Sequence, residues 1–170
     1  MIISISGLSG SGKNTLGKAL SEKLGLRLVS PTFKDLAEKE GISLIEFQKK
    51  AEKDPDIDRK FDDYLKEEAE KGDCIFTTWL SPWIVDADLK VNVFAPFEVR
   101  AKRLAERDGI SVEEAKKHIR ERDDENRERW KKLYKIDIYD TSIFDVCLNS
   151  SKFKPDELAE IVEKIAKKVK

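Results

Sequence analysis

The sequence predicts an α/β fold, a five-stranded parallel sheet with helices on both faces, and three observations lead there. Short β-rich runs alternate with longer helical patterns along the chain, most segments end at glycine or proline, and the last stretch is amphipathic at helical spacing. At 170 residues the chain has the length of one domain and enough material for a sizeable core. It contains no internal repeat and no low-complexity linker.

The elements follow in order. Ile2 to Ser6 reads as a buried strand ending at Gly7, and Thr15 to Leu24 carries apolar residues at helical spacing until Gly25 stops it. Leu26 to Ser30 is a second short strand closed by Pro31. Phe33 to Glu40 is helical, Gly41 ends it, and Ser43-Leu44-Ile45-Glu46 fits a capping box that starts a new helix near Leu44. Pro55 suits the first position of a helix running to Lys71, with Gly72-Asp73 as its stop. Cys74 to Thr78 and Leu89 to Ala95 are the third and fourth strands. Pro96 turns the chain into a helix at Phe97 to Arg107, and Ser111-Val112-Glu113-Glu114 forms a second capping box. From Glu113 to Lys135 the chain holds nine Lys or Arg and seven Asp or Glu, which predicts a solvated helix, not a core helix. Ile143 to Leu148 supplies the fifth strand, and Pro155 to Val169 the terminal helix, with Leu158, Ile161, Val162, Ile165 and Val169 on one face.

Composition excludes several classes of function. With 33 Lys and Arg against 34 Asp and Glu, the net charge of −1 is not that of a generally basic nucleic-acid protein, so no DNA partner is expected. No apolar run approaches the ~20 residues that span a bilayer, and the first residues lack a signal peptide's basic flank and apolar stretch. A cytoplasmic location and no membrane partner are expected. Cys74 and Cys147 lie in apolar runs without paired ligand spacing and read as buried reduced thiols. His118, the single histidine, has no ligand or base partner near it in sequence and reads as a solvated helix residue.

The chemically specific feature is Gly7-Leu8-Ser9-Gly10-Ser11-Gly12-Lys13-Asn14-Thr15, between the first strand and the first helix. It approximates the phosphate-binding pattern GxxxxGK[S/T] in the required strand-to-helix context. Glycines let the backbone wrap an oxyanion, free N–H groups and the helix N-terminus supply positive potential, and Lys13 bridges β- and γ-phosphates. Gly7, Ser9, Gly10, Ser11, Gly12, Lys13, Asn14 and Thr15 are therefore the expected ATP-binding residues. Asn14 stands where the generic motif has a magnesium-binding hydroxyl, and Thr15, one place later, is the expected Mg²⁺ ligand.

The displaced threonine resembles the loop of nucleoside monophosphate kinases. Three further stretches carry a likeness to the compact cytidylate kinases of the archaeal type over nearly the whole chain. They are Leu28-Val29-Ser30 with Phe33-Lys34, then Ala95-Pro96-Phe97-Glu98-Val99-Arg100-Ala101, then Tyr134 to Asp140 continuing through Ser142-Ile143-Phe144-Asp145. The resemblance implies a P-loop kinase that takes ATP and Mg²⁺ and phosphorylates a pyrimidine nucleoside monophosphate, CMP or dCMP. It also implies a monomer or weak dimer with an acceptor-binding helical insert at 31–72 and a short helical lid at 111–135. Within the lid, Arg122 and Arg129 match phosphate-facing arginines and join Lys13 as catalytic candidates. An arginine-bearing helix that arrives on closure stabilises transferring oxygens and excludes water together; alternatively, these arginines only pair at i,i+4 spacing with Asp123 and Glu125.

On the acceptor side the resemblance points to Ser30, Lys34, Trp79, Arg100 and Asp137. This sequence departs there from the family pattern. Ser30-Pro31-Thr32-Phe33-Lys34 replaces a Gly- and Asp-containing turn leading to arginine, Thr77-Thr78-Trp79 replaces Glu-Gly-Arg, and Asp63-Tyr64-Leu65 replaces Arg-Arg-Gln. Lysine keeps a point charge without the bidentate grip of arginine, and tryptophan has none. Trp79 and Trp83 either stack on an aromatic acceptor or cover the sheet end, Arg100 or Arg103 could hold the acceptor phosphate instead, and Asp137 and Asp140 contact a sugar or turn the chain. Two functions stay open at this point: a small kinase, for CMP or for another small acceptor, and a P-loop ATP-binding switch or assembly factor of the same fold.

Overall fold

A computed structural model describes residues 1–43, 46, 47, 50, 54 and 56–169, with Phe33, Lys34 and Lys39 by backbone alone. The helix start expected near Leu44 and the Pro55 position lie outside the described residues. The strands are β1 (Ile2–Ser6), β2 (Arg27–Val29), β3 (Cys74–Phe76), β4 (Leu89–Phe94) and β5 (Val146–Asn149). The helices are α1 (Lys13–Leu24), α2 (Phe33–Glu40), α3 (Asp56–Glu70), α4 (Ser81–Ile84), α5 (Phe97–Asp108), α6 (Val112–Tyr134) and α7 (Pro155–Val169). All strand pairs are parallel in the order β2-β3-β1-β4-β5, so β1 is central and the loop after it opens at the middle of the sheet's C-terminal edge.

Alternation along the strands sorts the two faces. Ile3, Ile5, Ile75, Leu89, Val91 and Val93 meet Leu16 and Leu20 of α1 and Leu158 and Val162 of α7, all nearly inaccessible. Burial on this scale, ~25 cal/mol per Å² of apolar surface, is the main term holding α1 and α7 to the sheet. On the opposite face Val29, Cys74 and Phe76 pack with Leu65 of α3 and Val85 after α4. Both expected capping boxes form: the Glu114 N–H donates to Ser111 Oγ at 3.2 Å and the Ser111 N–H to the Glu114 carboxylate at 3.0 Å, and Glu46 and Ser43 exchange the same bonds at 3.2 and 2.9 Å.

Four expectations are corrected. α1 begins at Lys13, not Thr15, because the left-handed Gly12 at φ 93° serves as its N-cap. β5 begins at Val146, three residues late, because the Phe144 N–H is turned back onto the Thr141 carbonyl and the chain first reaches β4 at Asp145, whose N–H donates to the Lys90 carbonyl. α6 is not solvated all round: Ala115, Ile119, Asp123 and Trp130 form a buried stripe, with Ala115 and Ile119 against Ala101, Leu104 and Ala105 of α5. Four buried positions in a highly charged helix are too sparse to read as an apolar face. Finally, both cysteines are free, but only Cys74 is buried; Cys147 is exposed, because β5 is an edge strand and Cys147 points away from the face on which Val146 and Leu148 pack against the core. His118 is exposed, as its charged neighbours implied.

Candidate active site

From β1 the chain enters a loop, Gly7 to Gly12, that ends on the first turn of α1. A Cβ on Gly7 would stand 2.2 Å from the Val93 carbonyl oxygen, so any side chain there would push the loop off the sheet. No side chain caps α1, which leaves its first N–H groups open to an anion. Ser9 and Ser11 are buried, and their hydroxyls find no partner among the described residues. Buried polar atoms rarely stay unpaired, and a loop with two orphaned hydroxyls beside open N–H groups is completed by oxygens from a ligand. The residues present therefore fit a nucleotide's phosphates. Thr15 is exposed on the first turn of α1, where its hydroxyl can reach a metal carried by those phosphates.

The back of the loop is braced from α5. Arg100 donates to the Ser9 carbonyl at 3.1 Å and to Asp123 Oδ2 at 2.8 Å. Arg103 donates to the Gly10 carbonyl at 3.2 Å and to the Ser150 hydroxyl and carbonyl at 2.8 Å each. Ser150 Oγ in turn donates to the Ser11 carbonyl at 2.5 Å. These bonds hold the carbonyls of Ser9, Gly10 and Ser11, and the Ser11 N–H closes the turn onto the Leu8 carbonyl at 3.1 Å. Arg100 was expected on the acceptor; its guanidinium is engaged by the loop and by Asp123. That carboxylate's second oxygen is buried without a partner among the described residues.

Lys13 stands in the opening. Burial, and then the charges of Arg122 and Arg107, lower its pKa from 10.5 to about 8. Arg122 of α6 thus lies within the electrostatic field of Lys13, and a polyanion would relieve the crowding of like charges.

The acceptor side is aromatic and acidic where arginines were expected. Trp79, at the end of β3, lies with its ring centroid 5.5 Å from Lys13 Nζ and 5.4 Å from the ring of Trp130. Arg129 Nε donates to Asp58 at 2.9 Å, across from α6 to α3, and Tyr134 donates to Asp62 one turn further along α3. Burial pushes the Asp62 carboxyl up to about 6, and it raises Asp58 as well, against the pull of Arg129. Ser30 Oγ accepts from Thr77 Oγ1 at 2.7 Å, and the Lys34 side chain lies outside the description. Asp137 accepts from Arg127 at 3.2 Å and from the Tyr139 backbone at 3.1 Å, the geometry of a turn. Trp83 packs edge-on against Phe144, 5.5 Å between centroids, over the sheet end.

Comparison with known proteins decides the family. The sequence model of the cytidylate kinase-like family matches residues 2–152. The chain belongs to that family. A cytidylate kinase of Pyrococcus horikoshii is 46% identical over 166 residues, covering 96% of this chain and 86% of that protein. One from Ignicoccus hospitalis is 41% identical over 168 residues, covering 96% and 98%. Among solved structures, shikimate kinase from Acinetobacter baumannii in complex with shikimate superposes with a TM-score of 0.66 at 17% identity, over 99% of this chain and 94% of that one. That likeness shows the P-loop kinase fold.

Asp58, Asp62 and Ser150 were not singled out by sequence; Arg103 was named only for the acceptor phosphate and Asp123 only as a local partner of the α6 arginines, whereas Arg103 braces the phosphate loop and Asp123 accepts from Arg100. Asp58 and Asp62 do carry a signal, an i,i+4 pair of carboxylates on α3, but nothing local says that they face Arg129 and Tyr134, some 70 residues on. Among the described residues no group of three or more His, Cys, Asp or Glu gathers as a metal site, and no helix is long and apolar enough to cross a membrane.

Proposed function

We propose that this protein transfers the γ-phosphoryl group of ATP, bound with Mg²⁺, to the 5′-phosphate of CMP or dCMP, leaving ADP and the cytidine diphosphate. The observation that carries the reading is the family match over residues 2–152 on a chain whose phosphate loop is open, braced and furnished with Lys13. Phosphoryl transfer asks the protein chiefly for position and charge. The loop N–H groups and the Ser9 and Ser11 hydroxyls hold the donor phosphates, Lys13 spans the β- and γ-oxygens, and Arg122 stabilises the charge that spreads over them in transit. Mg²⁺ neutralises charge between those phosphates when bound, with the Thr15 hydroxyl as the protein's ligand. Residues 31–72 form the acceptor-binding insert and 111–135 the lid, whose closure excludes water. The setting implied is a cytoplasmic monomer or weak dimer working on free nucleotides.

A panel of CMP, dCMP, UMP, AMP and non-nucleotide alcohols with ATP, read as ADP formation, tests this. CMP and dCMP should lead the panel, with kcat/KM on the order of 10⁴ M⁻¹s⁻¹ or more. ADP formation no faster with CMP than without it would overturn the reading.

A second reading, a P-loop ATP-binding switch or a kinase for another small acceptor, is favoured by one observation. Trp79 stands where an arginine was expected, and Arg129 is engaged by Asp58. It predicts ATP binding without CMP-dependent turnover.

A further inference from the structure

The face of α6 that meets α5 is apolar for two turns and then changes character. Ala115 and Ile119 pack on Ala101, Leu104 and Ala105. Asp123 is the next position on that face, four residues beyond Ile119. A leucine or alanine there would continue the seam. The carboxylate that stands there is 4% exposed, with one oxygen 2.8 Å from Arg100 Nη1 and the other without a partner among the described residues. Burial raises its pKa against the pull of Arg100.

A buried ion pair seldom adds stability over an apolar pair of the same volume, and a half-satisfied one is worse still. Departures from local rules concentrate at functional sites. Arg100 uses the same Nη1 to donate to the Ser9 carbonyl at 3.1 Å, and a Cβ on Gly10 would stand 2.8 Å from the Arg100 carbonyl oxygen. The phosphate loop thus rests on Arg100, backbone and side chain, and Asp123 joins that support to α6. Without the carboxylate Arg100 would be a buried cation with neutral partners only. Bound phosphate would then compete for it and draw the guanidinium off Ser9. Arg122 and Arg107 lower the pKa of Lys13 and Asp123 raises it, so the same charge offsets the crowding in the loop. Asp123 also follows Arg122 in the chain. Arg122 is exposed while Asp123 is buried, so the ion pair pins the backbone that carries Arg122 to the residue on which the loop rests.

We propose that Asp123 is a positioning residue for phosphoryl transfer: through Arg100 it fixes the Ser9 carbonyl, and through its own backbone it holds Arg122 at a set separation from the phosphate loop. The assignment rests on the ATP-dependent reading above. It joins the donor site and α6 into one unit, with Asp123 acting without contact to either nucleotide.

Variants of the pair separate positioning from support. Asp123→Leu leaves Arg100 buried without its counter-charge and should lower Tm; Asp123→Asn, which keeps the shape and one acceptor oxygen, serves if that variant does not fold. Arg100→Met combined with Asp123→Leu replaces the whole pair by apolar side chains and should recover the parent's Tm to within about 3 °C. Titration calorimetry with inorganic triphosphate then reads the loop alone. Affinity should fall about tenfold in the double variant despite its recovered Tm, and about threefold in Asp123→Asn. With ATP and CMP, kcat of the double variant should fall about tenfold with KM for CMP within about twofold, and Arg122→Ala added to it should cost less than about threefold more. Triphosphate affinity within about twofold of the parent's in the double variant would overturn the proposal, and if CMP is still phosphorylated the reaction stands. Losses from the pair and from Arg122→Ala that multiply in full also count against it. So does a KM for CMP that rises with kcat unchanged, which would return Arg100 to the acceptor. Weakened triphosphate binding in a protein that does not phosphorylate CMP would support the positioning role and overturn the reaction.

Discussion

Lys13 illustrates how one side chain is set for its ligand by what surrounds it. Burial and the two nearby arginines bring its pKa to about 8 in the free protein, and bound phosphate would raise it again. Nucleotide affinity should therefore fall as pH rises through 8, by up to about tenfold per unit, and titration calorimetry across pH 7 to 10 should lose that slope in Lys13→Met. The stability consequence has the opposite sense. A lysine with a depressed folded pKa costs stability while both states are charged, below pH 8, and the cost is relieved as pH rises from 8 towards 10.5. Lys13→Met should thus melt higher than the parent at pH 7 without nucleotide, while its kcat falls by a factor on the order of 10² or more. Trp79 makes the complementary case. Trp79→Arg would put a second cation beside Lys13 and remove the contact with Trp130. CMP turnover should drop about tenfold in steady-state assays, not improve, because the cost of paired like charges exceeds the gain of one phosphate donor.

At the scale of elements, α6 is the part on which catalysis and stability both depend. The charge of its Arg122 is felt at the phosphate-loop lysine, and on the proposed reading Arg122→Ala should lower kcat about tenfold or more while ATP affinity in equilibrium binding changes less than about threefold, since charge spreads over the oxygens mainly in the transition state. Arg129 is different, since it is spent on Asp58 in a mostly buried pair joining α6 to α3. Removing one partner of such a pair leaves a desolvated charge, so Asp58→Ala should cost on the order of 3 kcal/mol by urea unfolding, and Arg129→Ala added to it should cost little more. Asp62, one turn along α3, holds its proton up to about pH 6. A carboxyl with a raised folded pKa stabilises progressively as pH falls from about 6 towards its unfolded value near 4. The parent should therefore gain stability over that window relative to Asp62→Asn, in which the gain is absent.

For the whole molecule, the uncapped start of α1, the crowded cations around Lys13 and the orphaned Ser9 and Ser11 hydroxyls together are local costs that a phosphate ligand would remove. ATP with Mg²⁺ at about 100 times its Kd should stabilise the fold by ~2.7 kcal/mol, a rise in Tm of roughly 5–10 °C by scanning calorimetry, and Lys13→Met should lose most of that shift. A shift confined to Mg²⁺ alone would contradict the nucleotide assignment.

Much of this was written locally in the chain. The β-rich run Ile2–Ser6 followed by Gly7-x-x-Gly10-x-Gly12-Lys13, the two reciprocal capping boxes and the i,i+3,i+4 stripe of α7 each draw on neighbours within a few residues. Short-range sterics and hydrogen bonding suffice to specify them, so the sequence alone determined the fold class, the phosphate loop and most of the elements, though not the short helix Ser81–Ile84. Tertiary structure decided the rest. The pairings of Arg100 with Asp123, of Arg129 with Asp58 and of Tyr134 with Asp62 join segments 23 to 72 residues apart, and in a helix with fifteen charges no local rule says which one turns inward. Arg122 and Asp123 are neighbours in the chain, yet the first is exposed and the second is buried on Arg100. Each is an ordinary charge in its own segment. Only the seating of α6 on α5, fixed by Ala115 and Ile119 against Ala101, Leu104 and Ala105, turns Asp123 inward to the support of the phosphate loop and leaves Arg122 outside.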